Sequence, residues 1–420
     1  MKSKKQPFIV ALVIFIFVVI SLVTNILGSL NPNITSSFNL SSGLSGFIPF
    51  SFFIAYGIMS IPSGILNEKY GEKAVLICAS ALSFIGVIIL VFFTSFTTAL
   101  LSLFIIGLGV ATLQVVINPL LRVAGGDEHF AFNSVLAQVF FGGASAFCPS
   151  LYKYLVLNIH TSKSNMLLDA LNKVSPDGQL KWVSLYWVFA AVILLMILVL
   201  LFTRFPKVEL NEDEKIGSMA TFKELLQNRY TILFFFGIFS YVGTEQGISY
   251  WISGFLQKYH NQSPENVGDI VTGNFWLFMT IGCLLGLLLL KLFDSRKLLC
   301  IFVIGAAASL AVGLFGPLSL ALYAFPACGF FASIMWSVVI SLGLNSIPRH
   351  HGSLAGILCT GIIGGAFMPW IIGLIADATG LKAAMMLVYV TLAYLFSIGI
   401  WARPLVNNKT ILERDRGLVD

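Results

Sequence analysis

The sequence predicts an all-α polytopic membrane protein whose twelve transmembrane helices form two bundles of six. The first reason is composition: 57% of the 420 residues are hydrophobic and only 10% are charged, whereas soluble domains carry about 25% charged residues. The second is that apolar stretches of about 20 residues, the length that crosses a bilayer, recur along the whole chain. The third is a charged segment, Glu209–Lys215, that divides these stretches six and six.

Reading windows of that length in chain order gives the expected spans. They are 8–30, 43–66, 74–95, 97–121, 131–157, 182–203, 230–257, 268–292, 297–315, 317–346, 353–376 and 382–402. A charged linker between two equal helical halves is the layout of a two-bundle carrier. We therefore expect an N-terminal bundle at 1–203, a cytoplasmic linker at 204–229 and a C-terminal bundle at 230–420.

Positive charge is distributed unevenly between the two sides that this topology defines. Only six of the 25 lysines and arginines fall on one side, namely Lys153, Lys163, Lys173, Lys181, Lys258 and Lys382. Cytoplasmic loops carry the excess of Lys and Arg in membrane proteins, so the richer side is expected to be cytoplasmic. Both termini are then expected to lie in the cytoplasm. The net charge of +6 is explained in this way, without a nucleic-acid partner.

Motifs of other functional classes are missing from the sequence. There is no GxxxxGK[ST] of an ATP-driven pump and no HExxH or GxSxG of a hydrolase. The six cysteines form no CxxC pair or metal spacing. We expect no catalytic residue, no metal site and no cofactor, apart from Na⁺ or H⁺ as the coupling ion if transport is driven by one.

Polar residues inside the apolar spans are the candidates for a functional site, because an unpaired polar side chain in hydrocarbon is costly. In the first half they are Asn25 in span 1, Gln114 and Asn118 in span 4, and Gln138 in span 5, with Phe141 one turn further on. Each could line an interior cavity and hold a ligand. Each could instead form hydrogen bonds between helices, and Pro119 makes a local backbone contact of Asn118 an alternative.

In the second half Glu245 is the only clear carboxylate inside an apolar span. It could bind substrate, exchange a proton or bind sodium, or it could remain protonated in a structural hydrogen bond. The side-chain amide of Gln246 offers further hydrogen-bonding groups next to Glu245. Trp336 in span 10 could stack on a sugar ring, although a tryptophan in a span is more often a packing residue.

The turn after span 2 reads Gly64-x-Leu-x-Glu68-Lys69-x-Gly71-x-Lys73 and matches the loop signature of the major facilitator superfamily. Within that superfamily the chain resembles the fucose/glucose-galactose permease (fucose:proton symporter) branch. The stretches that carry this likeness are Phe50–Gly64, Gly107–Pro119, Leu136–Gln138, Tyr241–Glu245, Ser333–Trp336 and Gly356–Asp377.

The resemblance covers nearly the whole chain. It implies the major facilitator fold, a bacterial inner membrane and transport by alternating access. It also implies that the turn residues Gly64, Glu68, Lys69, Gly71 and Lys73 act as a latch between spans, stabilising one facing state without touching substrate.

The chain departs from the branch at two positions. Proton-coupled members carry an Asn-Asp pair before Ile-Leu in span 1, where this chain reads Thr24-Asn25-Ile26-Leu27. Fucose-type members place Glu where Gln114 stands, whereas glucose/galactose-type members place Gln. An amide does not titrate, so these residues argue against proton coupling through spans 1 and 4. Amides still hydrogen-bond sugar hydroxyls.

We therefore expect a secondary active or facilitative carrier of a hexose such as glucose, galactose or fucose. Its partners would be the sugar and membrane lipid, and it would act as a monomer. Two alternatives remain open at this point. One is a carrier of another neutral solute, such as an amino sugar, a cell-wall fragment or a drug. The other is a sugar sensor that keeps the fold without transporting.

Overall fold

Helices account for nearly all of the chain that the computed structural model describes, which is residues 6–125, 130–205 and 219–405. The first half comprises α1 (Pro7–Thr24), α2 (Leu27–Ser37), α3 (Ser42–Ser45), α4 (Phe47–Tyr70), α5 (Glu72–Phe92), α6 (Phe96–Gly125), α7 (Phe130–Asn158), α8 (Met166–Asn172) and α9 (Val183–Phe202). The short α10 (Met219–Gln227) follows, in what was expected to be the linker.

The second half comprises α11 (Arg229–Ser249), α12 (Ile252–His260), α13 (Asp269–Leu292), α14 (Ser295–Phe315), α15 (Leu318–Ala332), α16 (Met335–Leu344), α17 (His351–Thr360), α18 (Gly364–Thr379), α19 (Leu381–Met385) and α20 (Val388–Trp401). Residues 206–218 of the expected linker lie outside the described residues. The division at 204–229 therefore stays a prediction.

Within the described ranges, eleven helices or joined helix pairs are long and apolar enough to cross a membrane. They agree with eleven expected spans to within a few residues at most ends. The remaining span, the seventh, corresponds to α11 and α12, where Glu245 and Gln246 reduce the apolar character. Helix α11 packs against α16, α18 and α20 inside the second bundle. The expected all-α membrane fold is confirmed.

The two halves repeat one packing scheme. Helix α5 packs on α6 and α9 in the first half, as α14 packs on α15 and α20 in the second. Likewise α4 packs on α6 as α13 packs on α15, and α1 packs on α7 as α11 packs on α18. Helices that occupy the same place in each bundle therefore have comparable neighbours, which is the internal repeat expected of such carriers.

The short turn after the second span of each half is tied to its bundle in the same way. Gly71 directly follows α4, and its positive φ of 80° favours glycine because a side chain would be strained there. Lys73 Nζ then donates to the backbone oxygen of Leu201 at the end of α9, at 2.8 Å. In the second half Arg296 Nη1 donates to the backbone oxygen of Ala402 after α20, at 3.2 Å.

Two segments differ from the sequence-based expectation. The first span does not end near residue 30, because α2 continues through Pro32 to Ser37. Its polar residues are held by tertiary contacts, as when Asn31 Oδ1 accepts from Ser45 Oγ at 2.7 Å. The loop between spans 5 and 6 is also more ordered than expected, since it contains α8. Asn165 Oδ1 caps α8 by accepting from the backbone nitrogen of Leu168 at 2.8 Å.

We call the end of the bundle at which α1 begins and α20 ends the proximal end, and the other end the distal end. The halves meet where α4 packs on α17 and α18, where α7 packs on α13, and where α2 packs on α12. At the distal end Asn31 Nδ2 donates to the backbone oxygen of Tyr250 at 3.1 Å. The Tyr250 hydroxyl in turn donates to the backbone oxygen of Ser45 at 2.7 Å.

A second distal contact joins α18 to α3. The carboxylate of Asp377 accepts from the backbone nitrogens of Ser42 and Gly43, at 2.8 and 2.9 Å. Nearby, Gly28 packs so closely that a Cβ there would lie 2.5 Å from the backbone oxygen of Ser249. We call these contacts of Asn31, Ser45, Tyr250, Asp377 and Gly28 the distal seam. It seals the distal end between the two halves.

Candidate functional site in the bundle interior

Several spans are broken helices, and candidate residues lie close to the breaks. Span 1 breaks between α1 and α2 at Asn25 and Ile26, and span 7, its counterpart in the second half, breaks between α11 and α12. Glu245 lies about one turn before that second break. Trp336 follows the break between α15 and α16. In carriers, discontinuous helices at corresponding positions commonly form the substrate site.

Asn25 lies at its break but is only 5% exposed. Its Nδ2 donates to Ser145 Oγ on α7 at 2.7 Å, and Ser145 Oγ also lies 2.6 Å from Ser21 Oγ on α1. These bonds join α1 to α7, so in this conformation Asn25 sets the position of α7. The partner Ser145 was not singled out in the sequence.

Gln114 is half-buried on α6. Its Oε1 accepts from the hydroxyl of Tyr56 on α4 at 2.9 Å, and no described residue accepts from its Nε2, which leaves this donor for a ligand. Asn118 is exposed and donates from Nδ2 to the backbone oxygen of Gln114 at 3.2 Å. That bond is the local backbone contact given as an alternative for Asn118. Tyr56 was missed in the sequence because a tyrosine in an aromatic-rich span gives no distinct signal.

Gln138 has an exposed side chain, and the direction in which it points can be read from its own helix. Phe140, Phe147 and Tyr154 are 49%, 60% and 38% exposed and form one apolar stripe along α7, the face suited to lipid. Because a helix turns about 100° per residue, Gln138 points about 160° away from Phe140. The Gln138 face continues distally into Ser145, which is buried. Gln138 therefore points away from this apolar stripe, and it lies in the half of α7 nearer the proximal end.

Phe141 lies one turn from Gln138 on α7. Its ring packs edge-on against Phe17 of α1, with ring centroids 6.5 Å apart. The next residue, Gly142, faces Thr280 of α13 so closely that a Cβ would overlap the Thr280 hydroxyl. Close approach of the two halves at this level therefore requires glycine.

Glu245 is the most strongly held of the candidates. Its Oε2 accepts from the hydroxyl of Tyr241 at 2.5 Å, and its Oε1 accepts from Nε2 of Gln246 at 2.9 Å. Gln246 is only 4% exposed, so it orients the carboxylate rather than offering an open edge. Glu245 remains partly exposed although it lies about 140° around α11 from Ile232, part of the exposed apolar face of that helix.

Trp336 lies next to Tyr241, on the same side of the bundle interior as Glu245. Its indole lies 5.9 Å from the ring of Tyr241, centroid to centroid, in a tilted arrangement. The structure therefore brings three of the candidate residues together: Glu245 and Trp336 are linked through Tyr241, and Gln246 binds Glu245 directly. The first-half candidates form two separate groups, one around Gln114 and Tyr56 and one around Asn25 and Ser145.

The structure corrects one statement about acidic residues. Glu245 is not the only carboxylate inside the spans, because Asp269 at the start of α13 is 1% exposed. It was passed over because it stands at the edge of the expected span 8, where an acid is usually solvated.

The turn residues proposed as a latch lie at the proximal end. Gly64 is buried and Glu68 and Lys69 are exposed, with Lys69 Nζ 5.1 Å from the ring centre of Tyr70. Lys73 contacts α9 of its own half. The latch between facing states stays a prediction.

Comparison with known proteins identifies the family. The family model described as the Major Facilitator Superfamily matches residues 13–362. The chain belongs to the major facilitator superfamily. This transporter is 28% identical to the glucose/galactose transporter of Brucella abortus biovar 1 (strain 9-941) over 408 residues, which cover 95% of each chain. It is 26% identical to the L-fucose-proton symporter of Escherichia coli (strain K12) over 385 residues, 88% of this chain and 87% of that one.

Solved structures give the same fold. The crystal structure of the transporter FucP in the outward conformation superimposes with a TM-score of 0.68 and 24% identity, covering 94% of this chain and 98% of that one. Both the fold of this chain and the relatives that it matches are those of transporters and not of enzymes. The resemblance to the fucose/glucose-galactose permease branch is confirmed by the two relatives.

Proposed function

We propose that this facilitator carries a monosaccharide, a hexose such as glucose, galactose or fucose, across the plasma membrane by alternating access. The observation that carries the proposal is the direction of Gln138 and Glu245. Both keep solvent-accessible surface on the helix face that points away from the exposed apolar stripe, one from each half of the molecule. The names of the two relatives support a hexose as the solute.

The chemistry of the interior suits a neutral, hydroxyl-rich solute. The Nε2 groups of Gln114 and Gln138 can donate to hydroxyl oxygens, and the carboxylate of Glu245 can accept from hydroxyl protons. Phe141 and Trp336 offer apolar faces for the C–H face of a pyranose ring. No lysine or arginine is among the candidates, which disfavours an anionic solute. Asn25, Asn118 and Gln246 would support these groups through the contacts described above.

The distal seam supports the assignment of this conformation to one facing state. Hydrogen bonds and close backbone contacts join the halves at the distal end, whereas Gln138, in the half of α7 nearer the proximal end, has an exposed side chain. With the positively charged proximal side in the cytoplasm, this is an inward-facing arrangement with both termini cytoplasmic. A bacterial inner membrane and a monomeric carrier complete the proposal.

Glu245 is the residue through which we propose a cation, H⁺ or Na⁺, to be coupled to sugar binding. In Glu245→Gln the glutamine side chain has nearly the same shape as glutamate and can still accept a hydrogen bond from the Tyr241 hydroxyl. It cannot carry a negative charge. This variant should lose gradient-driven accumulation while keeping equilibrative exchange of the sugar. Loss of neither property would limit Glu245 to a structural hydrogen bond.

Uptake into proteoliposomes tests the function itself. Labelled glucose, galactose and fucose would be offered with and without imposed Na⁺ or H⁺ gradients, and exchange would be followed against internal unlabelled sugar. Counterflow of at least one hexose is expected, and Gln114→Leu should reduce it at least tenfold because one direct hydrogen-bond donor to the sugar is lost. Absence of counterflow for every hexose, with binding of an amino sugar or a drug instead, would remove the sugar assignment.

A further inference from the structure

Asp269 is the one carboxylate in the described spans that is closed off from solvent and accepts no hydrogen bond of normal geometry. It is 1% exposed, and neither of its side-chain oxygens has a hydrogen-bond partner among the described residues. It stands at the first position of α13, near the distal end, where the second half meets the first. A buried carboxylate without a partner is costly, so its presence points to a ligand.

Further oxygens without partners surround it. The hydroxyl of Ser29 on α2 is close enough to the Asp269 carboxylate to interact with it, but the two groups do not reach hydrogen-bonding geometry, so the buried Ser29 hydroxyl also has no hydrogen bond. Thr272 follows Asp269 by three positions and so lies on the same face of α13. Ser253 of α12 packs directly against Gly268. The hydroxyls of Thr272 and Ser253 are likewise buried and unpartnered.

Two common reasons for finding a carboxylate buried at the start of a helix do not apply to Asp269. It does not cap a helix, because the π-turn Pro264–Gly268 runs directly into α13 and occupies the backbone nitrogens there. It is not in an ion pair either, since no described lysine or arginine nitrogen forms a salt bridge with it. Lys153 on α7 and Glu265 on the π-turn are the charged groups near enough to interact with it, and Tyr152 and Cys148 of α7 also lie within its electrostatic range.

We propose that Asp269, Ser29 and the neighbouring hydroxyls of Thr272 and Ser253 form a binding site for a monovalent cation of the size of Na⁺. One carboxylate neutralises one positive charge, and hydroxyl oxygens are suitable ligands for a hard cation. A proton would satisfy only one donor–acceptor pair and leave the other oxygens without partners. A cation coordinates several oxygens at once.

The site has a consequence for the conformational cycle. Ser29 belongs to the first half and Asp269 to the second, so the full set of oxygens exists only while the distal end is closed. A bound cation therefore stabilises the sealed state. As a cation site it is independent of the solute carried; its part in coupling rests on the proposed transport function.

The test measures Na⁺ binding to the purified full chain in detergent, without sugar. Thermal unfolding would be recorded against NaCl, with choline chloride at equal ionic strength as reference, at several pH values between 5 and 8. Wild type should show a saturable Na⁺-specific rise in Tm of about 2 °C or more, and equilibrium binding of ²²Na⁺ should give about one ion per chain.

Variants locate the site. Asp269→Asn should lose both responses, and Ser29→Ala should weaken Na⁺ binding about tenfold while leaving the fold intact. Glu265→Gln is the matched control, since it removes a neighbouring carboxylate that accepts from Ser263 Oγ and should keep the Na⁺ response. If Asp269→Asn does not fold, the change in Na⁺ affinity caused by Ser29→Ala becomes the deciding measurement.

Three outcomes overturn the cation site: no Na⁺ response in wild type, an unchanged response in Asp269→Asn and Ser29→Ala, or a response to pH alone that Asp269→Asn removes. The last would assign a proton to Asp269. Hexose counterflow without Na⁺ binding would reject this inference alone, whereas Na⁺ binding without transport of any hexose would reject the proposed function alone.

Discussion

The strength of the distal seam can be measured by removing one charge. Asp377 accepts two hydrogen bonds, from the backbone nitrogens of Ser42 and Gly43, across the two halves. In Asp377→Asn the side chain retains one oxygen acceptor, loses the charge, and turns an NH₂ group toward the second backbone nitrogen. The seam is then weakened while the fold of each half is kept.

The expected magnitude follows from the bonds and their exposure. A hydrogen bond to a charged group contributes about 1.5–3 kcal/mol, but Asp377 is exposed to solvent, so screening reduces its contribution. For the two bonds together we take about 1–2 kcal/mol. Since 1.4 kcal/mol is a factor of ten, the ratio of distally open to distally sealed molecules should rise about 5–30-fold.

Distance measurements between spin labels on the two halves would report that ratio. Labels at Val174 and Tyr323, both exposed and both near the distal end, would be introduced after replacement of the native cysteines. Double electron–electron resonance then gives the populations of short and long distances in detergent or nanodiscs. Asp377→Asn is expected to increase the long-distance population.

The matched control is Asp177→Asn, which removes the same charge at the same end of the molecule. Asp177 accepts from its neighbour Gly178 and pairs with Lys181, so all of its contacts lie within the first half. A distance distribution in Asp377→Asn that matches this control to within about twofold would refute the assignment of the seam to the Asp377 contacts.

Other contacts lead to further predictions. Gly28→Ala places a Cβ 2.5 Å from the backbone oxygen of Ser249 and should destabilise the sealed form by about 1–3 kcal/mol, seen as a lower Tm in detergent. Lys73→Met removes the bond to the end of α9 and should lower unfolding stability by about 0.5–1.5 kcal/mol; an unchanged Tm would show the bond to be replaced by solvent. A double-mutant cycle with Asn25→Ala and Ser145→Ala should give a coupling energy of about 0.6–1.7 kcal/mol, and additive effects would contradict the bond between them.

The membrane fold could be predicted because hydrophobic length is a strong local signal. The expected boundaries between spans 3 and 4 and between spans 9 and 10 agree with the helix ends, since turn-forming residues at Thr94-Ser95 and Gly316-Pro317 interrupt the apolar runs there. The extension of α2 to Ser37 could not be predicted, because its polar residues are stabilised by Ser45 beyond the next turn and by Tyr250, which is distant in sequence. The breaks in spans 1 and 7 also carry no Gly or Pro at the break itself.

The grouping of the candidate residues was predictable in the second half of the chain and less so in the first. Glu245, Gln246 and Trp336 stand out as polar or aromatic residues in apolar surroundings, and the structure brings them together through Tyr241. A sequence shows that Asn25 is unusual in its span, but not that its amide is already bonded to Ser145. It also cannot separate a solvated acid at a span edge from Asp269, whose burial depends on how α2, α7 and α12 pack around it.

The distribution of acidic groups between the halves suggests how this chain differs from the proton-coupled branch that it resembles. Where those members carry titratable residues in spans 1 and 4, this chain has Asn25 and Gln114, which hold Ser145 and Tyr56 in neutral hydrogen bonds. Its interior carboxylates, Glu245 and Asp269, are instead in spans 7 and 8. They differ in environment, because Glu245 has two hydrogen-bond donors and some exposure, whereas Asp269 has neither. A carboxylate with fixed donors can accept from hydroxyls and can still exchange its own cation, whereas one without donors requires a cation to offset its charge. We therefore propose that Glu245 serves solute binding and coupling, and that Asp269 holds a separate cation that stabilises the distally sealed state.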